Sequence, residues 1–281
     1  MTSVYAHRGS TSSVVRENTL AAFRLAGELG ADGVELDVRR TADGRLVIHH
    51  DIEITGLGPV SQCRYRDLPA WVPTLEEALG ACVDAGLAVN VEVKSELWGT
   101  SHDPMERCAK ESAAVCRAAA RSAGIVMSSF STTALEAVRE VCPELALGWL
   151  FGPVGARGGR AASDPRRPSQ DRPSQDPPSQ DRPSQDRPWQ DPPWQDPPWQ
   201  DPPWQDPPWQ EEPLASLQLD GLHPFDLLVD GAFVSRAHDD GLAVRVWTVD
   251  EPARVAELAG LGVDAVITND VRAARRVLPV L

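Results

Sequence analysis

Positive charge, paired cysteines and long apolar runs are all scarce in this chain. Lysine and arginine number 27 against 41 aspartates and glutamates, a formal net charge of −14. Such a surface argues against nucleic acid as a partner and against polybasic contact with a membrane. An anionic phosphate substrate stays open, because a bound metal and a few local cations set the field inside a site. The five cysteines, Cys63, Cys82, Cys108, Cys116 and Cys142, are odd in number and form no C-x-x-C pair. Free thiols in a reducing cytoplasm fit that pattern better than a disulfide framework. No stretch approaches the ~20 apolar residues of a membrane span. The first residues, Met1 to Val4, lead almost directly into a strand with neither a basic nor an apolar leader region. Integral membrane contact and a secretory leader are therefore not expected. The G-x-G-x-x-G loop of doubly wound sheets is missing too, since His7-Arg8-Gly9-Ser10 has the wrong spacing.

Two short strands carry polar faces where burial is expected. Val34-Glu35-Leu36-Asp37-Val38 and Val89-Asn90-Val91-Glu92-Val93-Lys94 both alternate strictly. With a side-chain period of two, the valines and Leu36 share one face, and Glu35 and Asp37, or Asn90, Glu92 and Lys94, share the other. Amphipathic edge strands would turn those acids to water. In a chain that alternates strands with helices, however, strands are covered on both sides. Three buried carboxylates are costly unless neutralised, and a hard divalent cation, Mg²⁺ or Ca²⁺, takes carboxylate oxygens.

The strand–helix rhythm is regular. Strands are expected at Ser3–His7, Gly33–Arg39, Ala88–Lys94, Ile125–Ser129, Leu145–Phe151, Leu219–His223, Ala243–Val249 and Ala265–Thr268, with a short extra one at Leu46–His50. Helices are expected at Thr19–Leu29, Leu75–Ala85, Met105–Ala123, Thr132–Val141, Gly231–Asp240, Pro252–Leu261 and Val271–Leu278. Caps such as Thr74, and glycines such as Gly30 and Gly86, mark their ends. Eight alternating strands predict an α/β fold, a single closed (β/α)₈ TIM barrel spanning residues 1–281.

One segment breaks the rhythm after the fifth strand. From Arg167 to Glu211 the chain repeats a pentapeptide nine times, first as RPSQD or PPSQD, then as RPWQD, PPWQD and PPWQE. Five of the nine tryptophans stand in it, at Trp189, Trp194, Trp199, Trp204 and Trp209. A proline at least every five residues blocks helix and sheet interiors. The expectation is a disordered, low-complexity insert over about 157–213, dispensable for folding. A protein partner for its prolines and tryptophans is the competing reading to a repeat expansion tolerated in a surface loop.

In a barrel the chemistry sits at the C-terminal ends of the strands. Those ends here are His7-Arg8, Asp37, His50-Asp51, Glu92 with Lys94, Ser128-Ser129, His223, Trp247 and Thr268. Carboxylates can hold a metal against phosphoryl oxygens. Arg8 and Lys94 can hold anionic charge, and two histidines can serve as general base and acid. His49 neighbours His50 but points to the other face and is read as structural. His223 either lines the pocket or fills the core; Trp247 either walls the substrate or fills the barrel.

The motifs Ala6-His7-Arg8-Gly9, Glu17-Asn18-Thr19, Glu35-Leu36-Asp37, His50-Asp51, Val91-Glu92-Val93-Lys94, Val246-Trp247-Thr248-Val249 and Ile267-Thr268 together resemble the glycerophosphodiester phosphodiesterase family. The resemblance covers residues 4–151 and 219–278. It implies one divalent metal on Glu35, Asp37 and Glu92, with His7 and His50 as the catalytic acid–base pair. It places Arg8 and Lys94 near the phosphate, and Glu17 and Asn18 in support of the first histidine and the substrate. The implied reaction takes a small-molecule glycerophosphodiester to sn-glycerol 3-phosphate and an alcohol. Two departures stand out: Ile52-Glu53-Ile54 replaces a family Arg-Thr-Thr segment, and Asn269 stands where the family often has Asp. Both bear on substrate preference. A lysophospholipase-D-like activity, and a Pro/Trp-rich interaction protein on a barrel scaffold, are the alternative readings.

Overall fold

A computed structural model of the chain describes residues 1–96, 101–120, 124–152 and 207–279. Its strands are β1 (Ser3–His7), β2 (Gly33–Arg40), β3 (Leu46–Ile48), β4 (Glu53–Ile54), β5 (Gly58–Pro59), β6 (Ala88–Val93), β7 (Ile125–Ser129), β8 (Ala146–Phe151), β9 (Gly221–Pro224), β10 (Ala243–Val246) and β11 (Ala265–Thr268). Its helices are α1 (Leu20–Glu28), α2 (Leu75–Asp84), α3 (Arg107–Ala119), α4 (Thr132–Val141), α5 (Gly231–Asp239), α6 (Pro252–Leu261) and α7 (Val271–Val277). Eight strands pair in parallel in the order β1-β2-β6-β7-β8-β9-β10-β11, and β11 pairs back to β1. The ring is closed, as the TIM-barrel expectation requires. β3 adds to β2 antiparallel, setting Val38 opposite Ile48, and β4 and β5 form a separate hairpin.

The faces of β2 and β6 divide as their alternation predicts. Val34, Leu36, Val38, Val89, Val91 and Val93 are buried in the main apolar cluster together with helix residues such as Phe23, Leu75 and Ala113. Glu35, Asp37, Asn90 and Glu92 are buried as well, on the opposite face. Several helices start on a side-chain cap set in the loop after a strand. Thr74 and Glu77 form a reciprocal capping box at α2, and Ser131, Asp230 and Asp270 cap α4, α5 and α7.

Boundaries differ from expectation where tertiary contacts intervene. α3 starts at Arg107 rather than Met105, because Glu106 has φ +48° and its carboxylate accepts from Ser95 and Thr133. The end expected at residues 121–123 lies outside the described residues. β3 stops at Ile48, so His49 and His50 occupy a loop rather than a strand. The five cysteines are free thiols. Among the described residues no helix is long and apolar enough to cross a membrane.

The β8–β9 step is built differently from the others. Each other step around the barrel carries a helix, whereas the described part of this one holds two short 3₁₀ turns, Pro208–Gln210 and Ala215–Leu217. Trp209, Leu214 and Leu217 are buried in the core cluster. The last repeat unit, Pro207 to Glu211, therefore packs on the barrel, and the expectation that the whole array is an appendage does not hold for it. The described part of this step brings no helix to the outer face, and the indole of Trp209 packs there. The other eight units, 167–206, lie outside the described residues.

His223 is fully buried and packs across Gly148 of β8, where an added Cβ would lie 2.3 Å from its Nε2. Burial, then the nearby Arg245, pushes its pKa well below 6.5, so it is a neutral core residue. Gly148→Ala should cost about 1–3 kcal/mol, the usual scale of overpacking. The midpoint of urea unfolding checks this, and an unchanged midpoint would show that the ring has room to move.

Candidate active site

The site begins at the end of β1, where the chain turns sharply. Arg8 has φ +56° and Asn18 φ +54°. Left-handed backbone at non-glycine residues costs free energy and persists where surrounding contacts enforce it. The contacts are visible: the Arg8 amide donates to Glu35 Oε2 at 3.0 Å, and Asn18 Nδ2 donates to Asp37 Oδ2 at 2.7 Å. Arg8 also reaches Glu17 at 3.0 Å and Asp37 at 3.5 Å. Glu17 thus holds the Arg8 side chain, and Asn18 holds a carboxylate.

Strand register sets the acids side by side. Asp37 lies opposite Glu92 across β2 and β6, and Glu35 is two residues earlier on the same face. Ligand oxygens of Glu35, Asp37 and Glu92 lie within 4.8 Å of one another. Lys94 Nζ sits among them, 2.8 Å from Asp37 Oδ1 and in contact with Glu92 Oε1. Burial alone would raise the pKa of Asp37, but Lys94, His50 and Arg8 outweigh it and hold it down at about 2. Glu35 is pushed well above the usual carboxylate range by burial and by Asp37 and Glu92. Burial raises Glu92 also, against the pull of Lys94. Glu35 Oε1 is buried without a hydrogen-bond partner among the described residues. An orphaned carboxylate oxygen beside two further carboxylates is a donor set that a hard cation fits.

The two histidines are fixed by different partners. His7 Nδ1 lies 2.8 Å from Asn269 Oδ1. Asn269 Nδ2 donates to Asp250 Oδ2 at 2.8 Å, and Asn269 N to Asp250 Oδ1 at 2.8 Å. Asp250 thereby fixes the amide orientation, so that Oδ1 faces the ring. Nδ1 of His7 is then the donor, and Nε2, 3.9 Å from Glu35 Oε2, carries the lone pair. His50 Nδ1 likewise faces Asp51 Oδ1 at 2.8 Å, leaving Nε2 for the cleft. Burial, then Arg8, lowers the pKa of His7; burial, then Lys94, lowers that of His50. Both shifts favour the neutral ring. His49 turns away, with Nε2 toward Glu53 O at 3.3 Å and its ring 5.9 Å from Trp71.

A cavity of about 620 Å³ adjoins the cluster, lined by His50, Glu92, Lys94, Ile52, Ser129 and Phe130. Trp247 stands behind it, edge-on to Phe130 at 5.5 Å and to Phe225 at 5.3 Å, with Nε1 donating to His223 O at 2.8 Å. It backs the wall that Phe130 forms.

Three contributors escape the sequence reading. Phe130 is one. Arg39 is another: its Nε and Nη2 donate to His50 O at 3.0 and 2.7 Å, holding the loop that presents that histidine. Arg39 shares the face of Glu35 and Asp37, which was the available signal. The third is Asp250, whose carboxylate fixes the amide of Asn269, a position the sequence marks only as a departure from the family pattern.

Two histidines, three clustered carboxylates and two cations at one mouth of a (β/α)₈ barrel are the equipment of an enzyme acting on a phosphoric ester. The sequence model of the Glycerophosphoryl diester phosphodiesterase family matches residues 7–157 and 194–273, and the chain belongs to that family. A glycerophosphodiester phosphodiesterase of Caldanaerobacter subterraneus subsp. tengcongensis is 34% identical over 170 residues, covering 53% of this chain and 67% of that one. A probable glycerophosphodiester phosphodiesterase 1 of Mycobacterium tuberculosis is 49% identical over 77 residues, 24% of this chain and 28% of that one. Among solved structures, an Oleispira antarctica phosphodiesterase in complex with the product sn-glycerol-3-phosphate superposes with a TM-score of 0.72 at 24% identity, covering 99% of this chain and 97% of that one. The putative glycerophosphoryl diester phosphodiesterase of Silicibacter pomeroyi gives 0.71 at 23%, over 99% and 93%. At such identities the structural likeness is one of fold.

If Asn269 fixes the His7 tautomer, Asn269→Leu should lower kcat by on the order of tenfold, the worth of one hydrogen bond, with KM nearly unchanged. Steady-state kinetics check this, and a change confined to KM would instead make Asn269 a substrate contact.

Proposed function

We propose that this protein hydrolyses glycerophosphodiesters to sn-glycerol 3-phosphate and an alcohol, using one divalent cation, Mg²⁺ or Ca²⁺, held by Glu35, Asp37 and Glu92. The observation that carries the reading is the buried three-carboxylate cluster with the unpartnered Glu35 Oε1, flanked by two histidines whose Nδ1 atoms are held by Asn269 and Asp51. When bound, the cation supplies Lewis-acid polarisation of the phosphoryl group. Arg8 and Lys94 balance the charge of the phosphate. One histidine takes the proton of the substrate hydroxyl beside the phosphate through Nε2, and the hydroxyl oxygen attacks phosphorus. The other must enter the step as an imidazolium with a second proton on Nε2, and it gives that proton to the leaving alcohol oxygen. Water then opens the resulting cyclic phosphate with the proton roles reversed. Ile52 and Phe130, both 43% exposed, give the cavity an apolar lip that favours lysophospholipids as the second substrate class. Parallel assays on glycerophosphocholine and lysophosphatidylcholine separate the two.

Glu35→Gln, Asp37→Asn and Glu92→Gln should each abolish turnover and weaken Mg²⁺ or Ca²⁺ binding read by calorimetry. Chelation should remove wild-type activity and added cation restore it. Full activity after exhaustive chelation would sink the metal assignment.

His7→Ala and His50→Ala should each cost at least ~10²-fold in kcat, the scale of general acid–base catalysis, and His49→Ala little. Because both catalytic pKa values are lowered, the unprotonated base is lost only as pH falls through a value below 6.5. The acid limb of kcat/KM should therefore lie below the ordinary histidine value of about 6.5; a limb above it, or an essential His49, would contradict the assignment.

A further inference from the structure

The docked unit of the array is held by apolar and polar contacts together. Trp209 is buried, and its ring meets Phe233 of α5 edge-on at 5.6 Å. Phe233 continues inward to Phe151 at 6.2 Å, and Phe151 stacks on Trp149 at 4.5 Å. The indole Nε1 and the Gln210 side-chain Nε2 both donate to one oxygen of Asp240, each at 2.9 Å. Arg236 Nε lies 3.4 Å from that same oxygen. Tryptophan followed by glutamine is thus recognised as a pair by one carboxylate and one aromatic face. Pro207 is buried beside them; Gln210 and Glu211 are exposed, and Gln210 is tied in through Asp240.

The Pro-Trp-Gln sequence that the groove holds recurs upstream. Pro-Pro-Trp-Gln stands at 192–195, 197–200 and 202–205, and Arg-Pro-Trp-Gln at 187–190. The first four units, 167–186, have serine in place of tryptophan; serine has neither the indole N–H for Asp240 nor a ring for Phe233. We infer that the face formed by Phe233 and Asp240 is a receptor for the Pro-Trp-Gln unit, and that the units centred on Trp189, Trp194, Trp199 and Trp204 of the same chain are interchangeable occupants of it. Exchange needs only a slip of the chain by whole units, with five residues looped out per step, and longer loops add little entropic cost. Copies on one tether compete at high effective concentration, so five tryptophan units keep the groove filled when any one is lost.

The test compares Trp209→Ser in two backgrounds, the native array and one in which Trp189, Trp194, Trp199 and Trp204 are also changed to Ser. Without substitutes, losing a buried tryptophan should lower Tm by at least about 6 °C. In the native array the fall should be less than half as large. Restoring Trp204 alone to the chain with all five substitutions should recover most of the loss. If that chain does not fold, soluble yield with and without Trp204 reads the same rescue. Equal falls in the two backgrounds, or no rescue by Trp204, would show that the groove is specific to its own unit and overturn the inference.

Discussion

Three carboxylates with ligand oxygens within 4.8 Å of one another, buried at one mouth of the barrel, are the constraint around which the rest is arranged. Their mutual repulsion and loss of hydration would eject them from any apolar interior. They are retained because β2 and β6 are locked in register by parallel pairing, with their apolar faces committed to the surrounding helices. A slip of one residue would turn the valines inward and the acids under the helices. The cations follow from the same geometry. Lys94 leaves β6 on the face of Glu92, and Arg8 is brought back over the cluster by the left-handed turn after β1.

The histidines depend on this cluster electrostatically but not for their orientation. His7 is aligned by an amide that a carboxylate on the β10–α6 connection holds, so three segments set one ring. His50 stands in a loop after β3, and Arg39 grips its carbonyl from the acid-bearing face of β2. Each ring offers Nε2 and donates through Nδ1, to a neutral amide for His7 and to an exposed carboxylate for His50. The two are therefore unequal in environment, as the proposed acid–base pairing would require.

Most of the barrel was legible because strand alternation, capping residues and glycine stops agreed with one another along the chain. Glu35, Asp37 and Glu92 were legible because acids on a covered strand face demand a counter-charge, and strict alternation exposes them. Asn269 and Arg39 were not, since their roles depend on a carbonyl and a ring supplied from elsewhere in the fold. The array misled for a related reason. Composition gives no unit a place in the fold, whereas the unit Pro207 to Glu211 meets a face of the barrel. There Phe233 and Asp240 face a step that carries no helix among the described residues. Burial is decided by what a segment meets, and a repeat cannot reveal that.

Charge balance ties the proposed chemistry to the substrate class. Three ionised carboxylates exceed the charge of Arg8 and Lys94 by one, and burial together with Asp37 and Glu92 pushes the pKa of Glu35 well above the usual carboxylate range. On the proposed reading a divalent cation binds the cluster with its carboxylates ionised, as metal ligands require. The cation, Arg8, Lys94 and the three carboxylates then sum to one positive charge, which Glu17, paired with Arg8, offsets in part. A phosphomonoester dianion, such as the glycerol phosphate product, carries one more negative charge than a diester, and the acidic surface of net −14 would add to its tendency to leave. On the proposed reading the same arrangement would therefore hold the diester more readily than the monoester product.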